Sequence, residues 1–233
     1  MARPSDPAVR VALIEAAAQL LATEGLDALS IRRVASAVGS STMAVYTHFG
    51  SKDDLVRAVV KEAFARLHAE MAKVARSDDP VADLAETATA YRRNALANAH
   101  LYRVMFAINP LALTDPVAEL APRGDGPGQR DVGLEAFGAL VEAVARCVEA
   151  GELDGEPALL ALQVWSSAHG AVSLELAGFL GDDAEATFVG ATTATFLGLS
   201  GASSSPIRRR GRWPRARPPT PPELRRQRRE DAT

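Results

Sequence analysis

Between Gly39 and Leu55 the chain places small hydroxyl residues, two polar aromatic tips and a cation at short intervals. Ser41, Thr42 and Ala44 crowd into four positions, and Tyr46, His48 and Lys52 follow. Serine and threonine hydroxyls hydrogen-bond several bases, and small apolar groups meet a thymine methyl. Side chains this small also let a backbone approach a base edge. Lys52 stands where the free amides of a new helix begin, which suits a phosphate. Upstream, Arg32 and Arg33 fall on the outer side of a short helix placed to cross a sugar-phosphate backbone, with Ser30 at its start. The chemistry implied is contact with a polyanion and its base edges, not bond breaking. No Gly-rich phosphate loop, G-x-S-x-G elbow or metal-spaced cluster is seen. Cys147, the single cysteine, lies between Arg146 and Val148 in a helical pattern and reads as packing. No catalytic residue, cofactor or metal is expected.

The elements that must hold these residues read as helix after helix. The first is expected over 7–24, with Asp6 as N-cap, Pro7 in the first turn and Gly25 as stop. A second runs from Ser30 to Gly39, with Ile31, Val34, Ala35 and Val38 on one face. A short third covers 42–48 behind Ser41, its Val45 and Phe49 pointing back into the first two. Two short helices joined by Gly39-Ser40-Ser41 have the layout of a helix-turn-helix. The fourth opens on Ser51-Lys52-Asp53-Asp54 and continues to about Arg76. Further helices are expected at 80–99, 100–108, 116–121, 131–150, 156–180 and 184–199, the penultimate one stopped by Gly181. No period-2 alternation marks a strand. The fold class is therefore all-α.

The segment 26–55 resembles the DNA-binding region of the TetR family of repressors. Its most telling part is Tyr46-x-His48-Phe49-x-Ser51-Lys52-x-x-Leu55, and Gly25, Leu29, Ser30, Val34, Ala35 and Gly39 agree upstream. The resemblance implies phosphate contacts from Tyr46 and Lys52, base-facing Thr42, Met43 and Ala44, and core roles for Val45 and Phe49. Met43 and Val45 depart from the family's usual residues, which bears on base preference. Downstream, Trp165-Ser166-Ser167-Ala168-His169-Gly170 is similar to a C-terminal domain of one branch of that family. That likeness implies a helical ligand-binding and dimerisation domain behind an N-terminal three-helix helix-turn-helix domain. The partners implied are a double-stranded DNA operator of two-fold symmetry, a second copy of the chain and a small-molecule effector. The function implied is a ligand-responsive regulator, a repressor released from DNA by its effector. The alternative is a small-molecule-binding helical protein whose DNA-binding segment is without function.

Pocket candidates combine apolar lining with polar tips. On the fourth helix these are Phe64, Leu67, His68 and Met71; beyond it come Tyr91, Asn94, Asn98, Tyr102, Met105 and Phe106. Trp165 and His169 share one helix face. Each of these also reads as ordinary core, and His169 as a hydrogen-bonded core histidine. His68 is placed to pass a signal to the DNA-binding part. Dimer contacts are expected from Leu174, Phe179, Phe188, Thr192 and Phe196 on the last two helices.

Charge is distributed to match. Residues 1–76 carry 10 Lys+Arg against 8 Asp+Glu, 77–200 carry 6 against 18, and 201–233 carry 10 against 3. The acidic middle repels phosphates, so DNA contact is confined to the N-terminal part and the tail. The domains expected are 1–52 for DNA, 53–200 for ligand and dimer, and 201–233 as a disordered Arg/Pro-rich tail. That tail reads either as a phosphate-contacting arm or as a solvated extension. The polar N-terminus lacks a secretory signal and no segment spans a membrane, so a cytoplasmic protein is expected.

Overall fold

The computed structural model describes residues 6–107 and 132–200. Among these it contains the α-helices α1 (Pro7–Glu24), α2 (Ile31–Ala37), α3 (Thr42–Phe49), α4 (Lys52–Met71), α5 (Pro80–Ala97), α6 (Ala99–Ala107), α7 (Val132–Glu149), α8 (Pro157–Leu176) and α9 (Ala184–Leu199). No strand occurs among the described residues. The expected helix at 116–121 and the tail from 201 lie outside them.

Each N-terminal helix starts on a side-chain cap. Asp6 accepts from Ala8 N, Ser30 from Arg33 N, Ser41 from Ala44 N and Ser51 from Asp54 N. Such caps satisfy amides that have no partner within the helix. Leu13, Ile14, Ala17 and Ala18 of α1 are fully buried, as are Val34 of α2, Val45 of α3 and Leu55 and Val59 of α4. α1, α2, α3 and the start of α4 thus share one core. α6 packs against both α1 and α4, so the N-terminal bundle and the helical body are continuous.

Two helices end earlier than their patterns suggest, each for an identifiable reason. α4 stops at Met71, five residues short of Arg76. Beyond it, Ser77 is captured by Asp83: its amide donates to Oδ2 at 2.9 Å and its hydroxyl to Oδ1 at 2.6 Å. Arg146 of α7 donates to the same carboxylate and, at 2.6 Å, to the Ser77 carbonyl. This three-way clip turns the chain into α5 before α4 completes its apolar stripe. α8 stops at Leu176 rather than near 180. Gly178, at φ +80°, donates to Glu175 O, and Phe179 donates to Leu174 O. That pair of bonds is a Schellman cap, and a glycine supplies its left-handed residue without strain. Gly178, not Gly181, is therefore the stop.

α9 packs chiefly on α8. Phe188 faces inward and is 3% exposed, with the Arg92 guanidinium 5.8 Å from its ring centre. It belongs to the protomer core and so is not available for the dimer contact expected from the sequence. Thr192 and Phe196 are half-buried; Leu174, Phe179, Val189 and Leu197 are exposed.

The Ser77 hydrogen bonds, then Arg146, hold the Asp83 carboxyl down at about 2. A depressed folded-state value stabilises above the ordinary carboxylate range and loses that contribution as pH falls through it. Wild type should exceed Asp83→Asn in urea midpoint by a constant margin above about pH 5, and the margin should shrink toward pH 2. A margin independent of pH would show that the carboxylate charge is not what holds this turn.

Candidate nucleic-acid interface and effector core

α3 is eight residues long, too short to persist alone in water. Val45, fully buried, and Phe49, 9% exposed, pin it to the bundle. Its other side is open: Met43 is 70% exposed and Tyr46 50%, and Thr42 and Thr47 are exposed too. Ala44 and His48 are intermediate, and the His48 ring lies 6.0 Å from that of Phe49. The Ser30 and Ser41 hydroxyls act as caps, Ser30 Oγ accepting from Arg33 N at 3.3 Å and Ser41 Oγ from Ala44 N at 3.1 Å. Thr47, absent from the sequence candidates, lies on the same side as Met43 and donates its hydroxyl proton to the Met43 carbonyl at 2.9 Å. Its position four residues from Met43, opposite Val45 and Phe49, was the available signal.

The cations divide in role. Arg33 forms a two-pronged pair with Glu24 at the end of α1, at 2.6 and 2.9 Å, and donates to Ala28 O at 3.1 Å. The guanidinium holds the Glu24 carboxyl below its usual range, mainly by the hydrogen bond. Arg33 is thus a clip between α1 and α2 rather than a free outward cation. Lys52 donates to Leu26 O at 3.2 Å, so a second cation ties down the same turn from the start of α4. Arg32 is exposed and has no bonded partner. At the start of α4, Ser51 also bonds Asp54, which pairs with Arg57 at 2.5 Å.

The pocket candidates separate into three groups. Tyr91, Tyr102, Phe106, Trp165 and His169 converge from α5, α6 and α8. Trp165 Nε1 donates to Tyr91 Oη at 3.3 Å, and Tyr91 donates to Tyr102 at 3.1 Å. Tyr102 Oη lies 2.7 Å from His169 Nδ1, and His169 Nε2 lies 3.4 Å from Ser173 Oγ. Tyr91 Oη also lies 3.1 Å from His169 Nδ1, and only an order that ends with a phenol donating to Nδ1 leaves no buried phenolic proton unbonded. It places the imidazole proton on Nε2. Burial lowers the His169 basicity and weakens both phenols as acids, raising their pKa values above the usual tyrosine range, so the whole relay is polar and uncharged. Phe137 of α7 joins the cluster 5.8 Å from Trp165; nothing in the sequence marked it.

A second group is structural. Asn98 bonds Asn94 O and Oδ1, and accepts from Arg66 at 2.9 Å. Arg66 also pairs with Glu15 of α1 at 2.6 Å and Glu62 at 2.9 Å. This one guanidinium joins α1, α4 and the α5–α6 joint. Leu67 and Met105 are core, and Phe64 packs against it. The third group, His68 and Met71, lines a separate cleft of about 230 Å³ with Asp83, Thr87, Glu142 and Arg146. An Arg76–Glu142 pair bridges its wall. No group of three or more His, Cys, Asp or Glu suited to a metal occurs among the described residues. Cys147 is fully buried and its thiol donates to Pro80 O.

Residues 13–59 match the sequence model for bacterial regulatory proteins of the tetR family. Residues 84–194 match a tetracyclin repressor-like C-terminal domain. A helix-turn-helix-type transcriptional regulator of Mycobacterium tuberculosis, itself uncharacterized, is 34% identical over 194 residues, 81% of this chain and 79% of that one. A protein from a Rhodococcus species superposes with a TM-score of 0.65 at 24% identity, over 86% of this chain and 100% of that one. The TetR-family regulator PfmR of Thermus thermophilus gives 0.58 at 22%, over 80% and 96%. SmeT, solved with triclosan, gives 0.58 at 18%, over 83% and 92%. At these identities the structural likeness is one of fold.

Two outcomes follow. Tyr102→Phe removes the centre of the relay and should cost about 1–3 kcal/mol in urea unfolding, while Ser173→Ala, at the long end, should cost under about 1 kcal/mol. Equal costs would mean that Tyr102 is not the central link of the cluster. Arg32→Gln should leave the melting temperature unchanged and flatten the salt dependence of DNA binding by about one phosphate per site. Arg33→Gln should lower the melting temperature; the reverse pattern would exchange their roles.

Proposed function

We propose a ligand-released, dimeric repressor from a premise that the relatives establish: this chain belongs to the TetR family of transcriptional regulators. It is a DNA-binding regulator with an N-terminal helix-turn-helix and a C-terminal helical domain. Its division is taken as 1–52 for DNA, 53–200 for ligand and dimer, and 201–233 as a basic extension. The DNA contacts assigned are α3 through Thr42, Met43, Ala44, Tyr46 and His48, with Arg32 and Lys52 on phosphates. Ser30, Arg33 and Ser41 hold that surface in shape.

The observation that carries this reading is an α3 bound to its bundle on one side and bare on the other. A segment without function has no need of clips at Arg33 and Lys52 that fix its turn. The dimer is assigned to α8 and α9. Leu159, Gln163, Ser166, Gly170 and Leu174 make an exposed stripe on α8, and Val189, Gly190, Thr193 and Leu197 one on α9. Two such pairs form a four-helix interface about a two-fold axis. The two α3 helices then reach half-sites about 34–36 Å apart.

The effector is assigned to the aromatic relay and its surroundings. A neighbour of the same fold is solved with triclosan, which supports a small-molecule role for such a body. α6 carries Tyr102 and Phe106 and packs on α1 and α4. A ligand that displaces α6 therefore moves the scaffold of α3, with Arg66 as the fastener. Its effect on DNA is bounded by its differential affinity for the two arrangements. Among the described residues no helix is long and apolar enough to cross a membrane.

The test begins with selection of duplexes from a random library by the full chain. A two-fold symmetric consensus, bound by two copies in sedimentation, is expected. In a Trp213→Phe background Trp165 is the single indole, so compounds that change its emission report the effector core. Such compounds should weaken operator binding without unfolding the chain. An unchanged DNA affinity with the core occupied would overturn effector release.

A further inference from the structure

On the DNA-binding reading above, we infer that the operator half-site is recognised through thymine methyl groups seated on an apolar ridge of Met43 and Thr47. The direction that α3 presents outward is fixed by its two buried anchors, Val45 and Phe49. At 3.6 residues per turn, Met43 and Thr47 lie within about 40° of the opposite direction and Ala44 within about 60°. Met43 is the most exposed of the large hydrophobic side chains of α3, at 70%. A solvent-facing methionine in the middle of an otherwise polar entry surface calls for an apolar partner.

The rest of that face offers little hydrogen bonding to bases. Residues 41–50 contain no Arg, Lys, Asn, Gln, Asp or Glu. Those are the side chains that make bidentate or charge-assisted contacts to guanine, adenine or cytosine edges. The Thr47 proton is committed to the Met43 carbonyl, and Ser41 Oγ accepts from the Ala44 amide as the helix cap. His48 is partly covered beside Phe49. By the same spacing Tyr46 lies about 100° from the outward direction, on the flank of the helix, and Thr42 lies toward the anchored side in its first turn. In the major groove one base-pair feature is apolar, the C5 methyl of thymine. The ridge and the methyl are complementary in chemistry and scale.

The probe is the duplex selected by the full chain, with each thymine replaced in turn by uracil, which removes that methyl alone. One or two positions per half-site should weaken binding about fourfold, the loss for about one buried apolar carbon. Changing a symmetric pair should weaken it about sixteenfold. In Met43→Ala, checked for an unchanged melting curve, the sensitivity at one of these positions should vanish. In Met43→Leu it should persist. A flat uracil scan on a tightly bound duplex would overturn the inference while leaving the regulator reading intact. So would a consensus without thymine in the half-site core. A library that yields no bound duplex would overturn both.

Discussion

Val45 and Phe49 decide where the recognition helix points. Eight residues cannot sustain a helix by themselves, so α3 exists because two apolar side chains are sunk into α1, α2 and α4. The same anchoring fixes the helix azimuth, since whatever is opposite the anchors must face out. The Ser41 cap and the Arg33 and Lys52 clips then set the turn on either side. Arg33 is thereby scaffold, and Lys52 gives one of its three donors to the turn and keeps the others. Local shape at the DNA surface is stiffened by charges that, on composition alone, would all count toward phosphate binding.

Much of the fold was legible because its punctuation is local. Asp6, Ser30, Ser41 and Ser51 cap the helices they were expected to cap, and Gly25 ends the first. Boundaries slipped where a distant residue intervened. α4 ends early through a carboxylate six positions beyond Ser77 and an arginine on α7, a contact no window of sequence contains. In α8 the choice between Gly178 and Gly181 turns on which glycine adopts the left-handed conformation that completes both cap bonds; both have positive φ, and only the first closes the pair. The face of α9 was misread at Phe188 because that helix is apolar nearly all round, so periodicity cannot say which side meets the protomer.

The candidate site was legible by residue type and less so by grouping. Tyr91, Tyr102, Trp165 and His169 do meet, while His68 and Met71 line a different cleft and Asn94 and Asn98 serve the Arg66 junction. Residue types announce polar tips on apolar faces, but only packing reveals that four of them form one proton-ordered chain. An uncharged relay inside an acidic body is consistent in physical terms. It supplies directionality without the desolvation cost of a buried ion.

α4 runs unbroken from Lys52, at the DNA surface, to Met71, at the cleft, a rod of about 30 Å. Held about three-quarters of the way along by Arg66, such a rod acts as a lever. A pivot of about 5.5° at Arg66 carries Lys52, about 21 Å away, through about 2 Å, enough to take a donor out of hydrogen-bond reach of a phosphate. Because coupling is reciprocal, the leverage works both ways. On the proposed reading, a duplex that seats Lys52 would also set the position of His68 and Met71, and the operator would itself be an effector of the protein's far end.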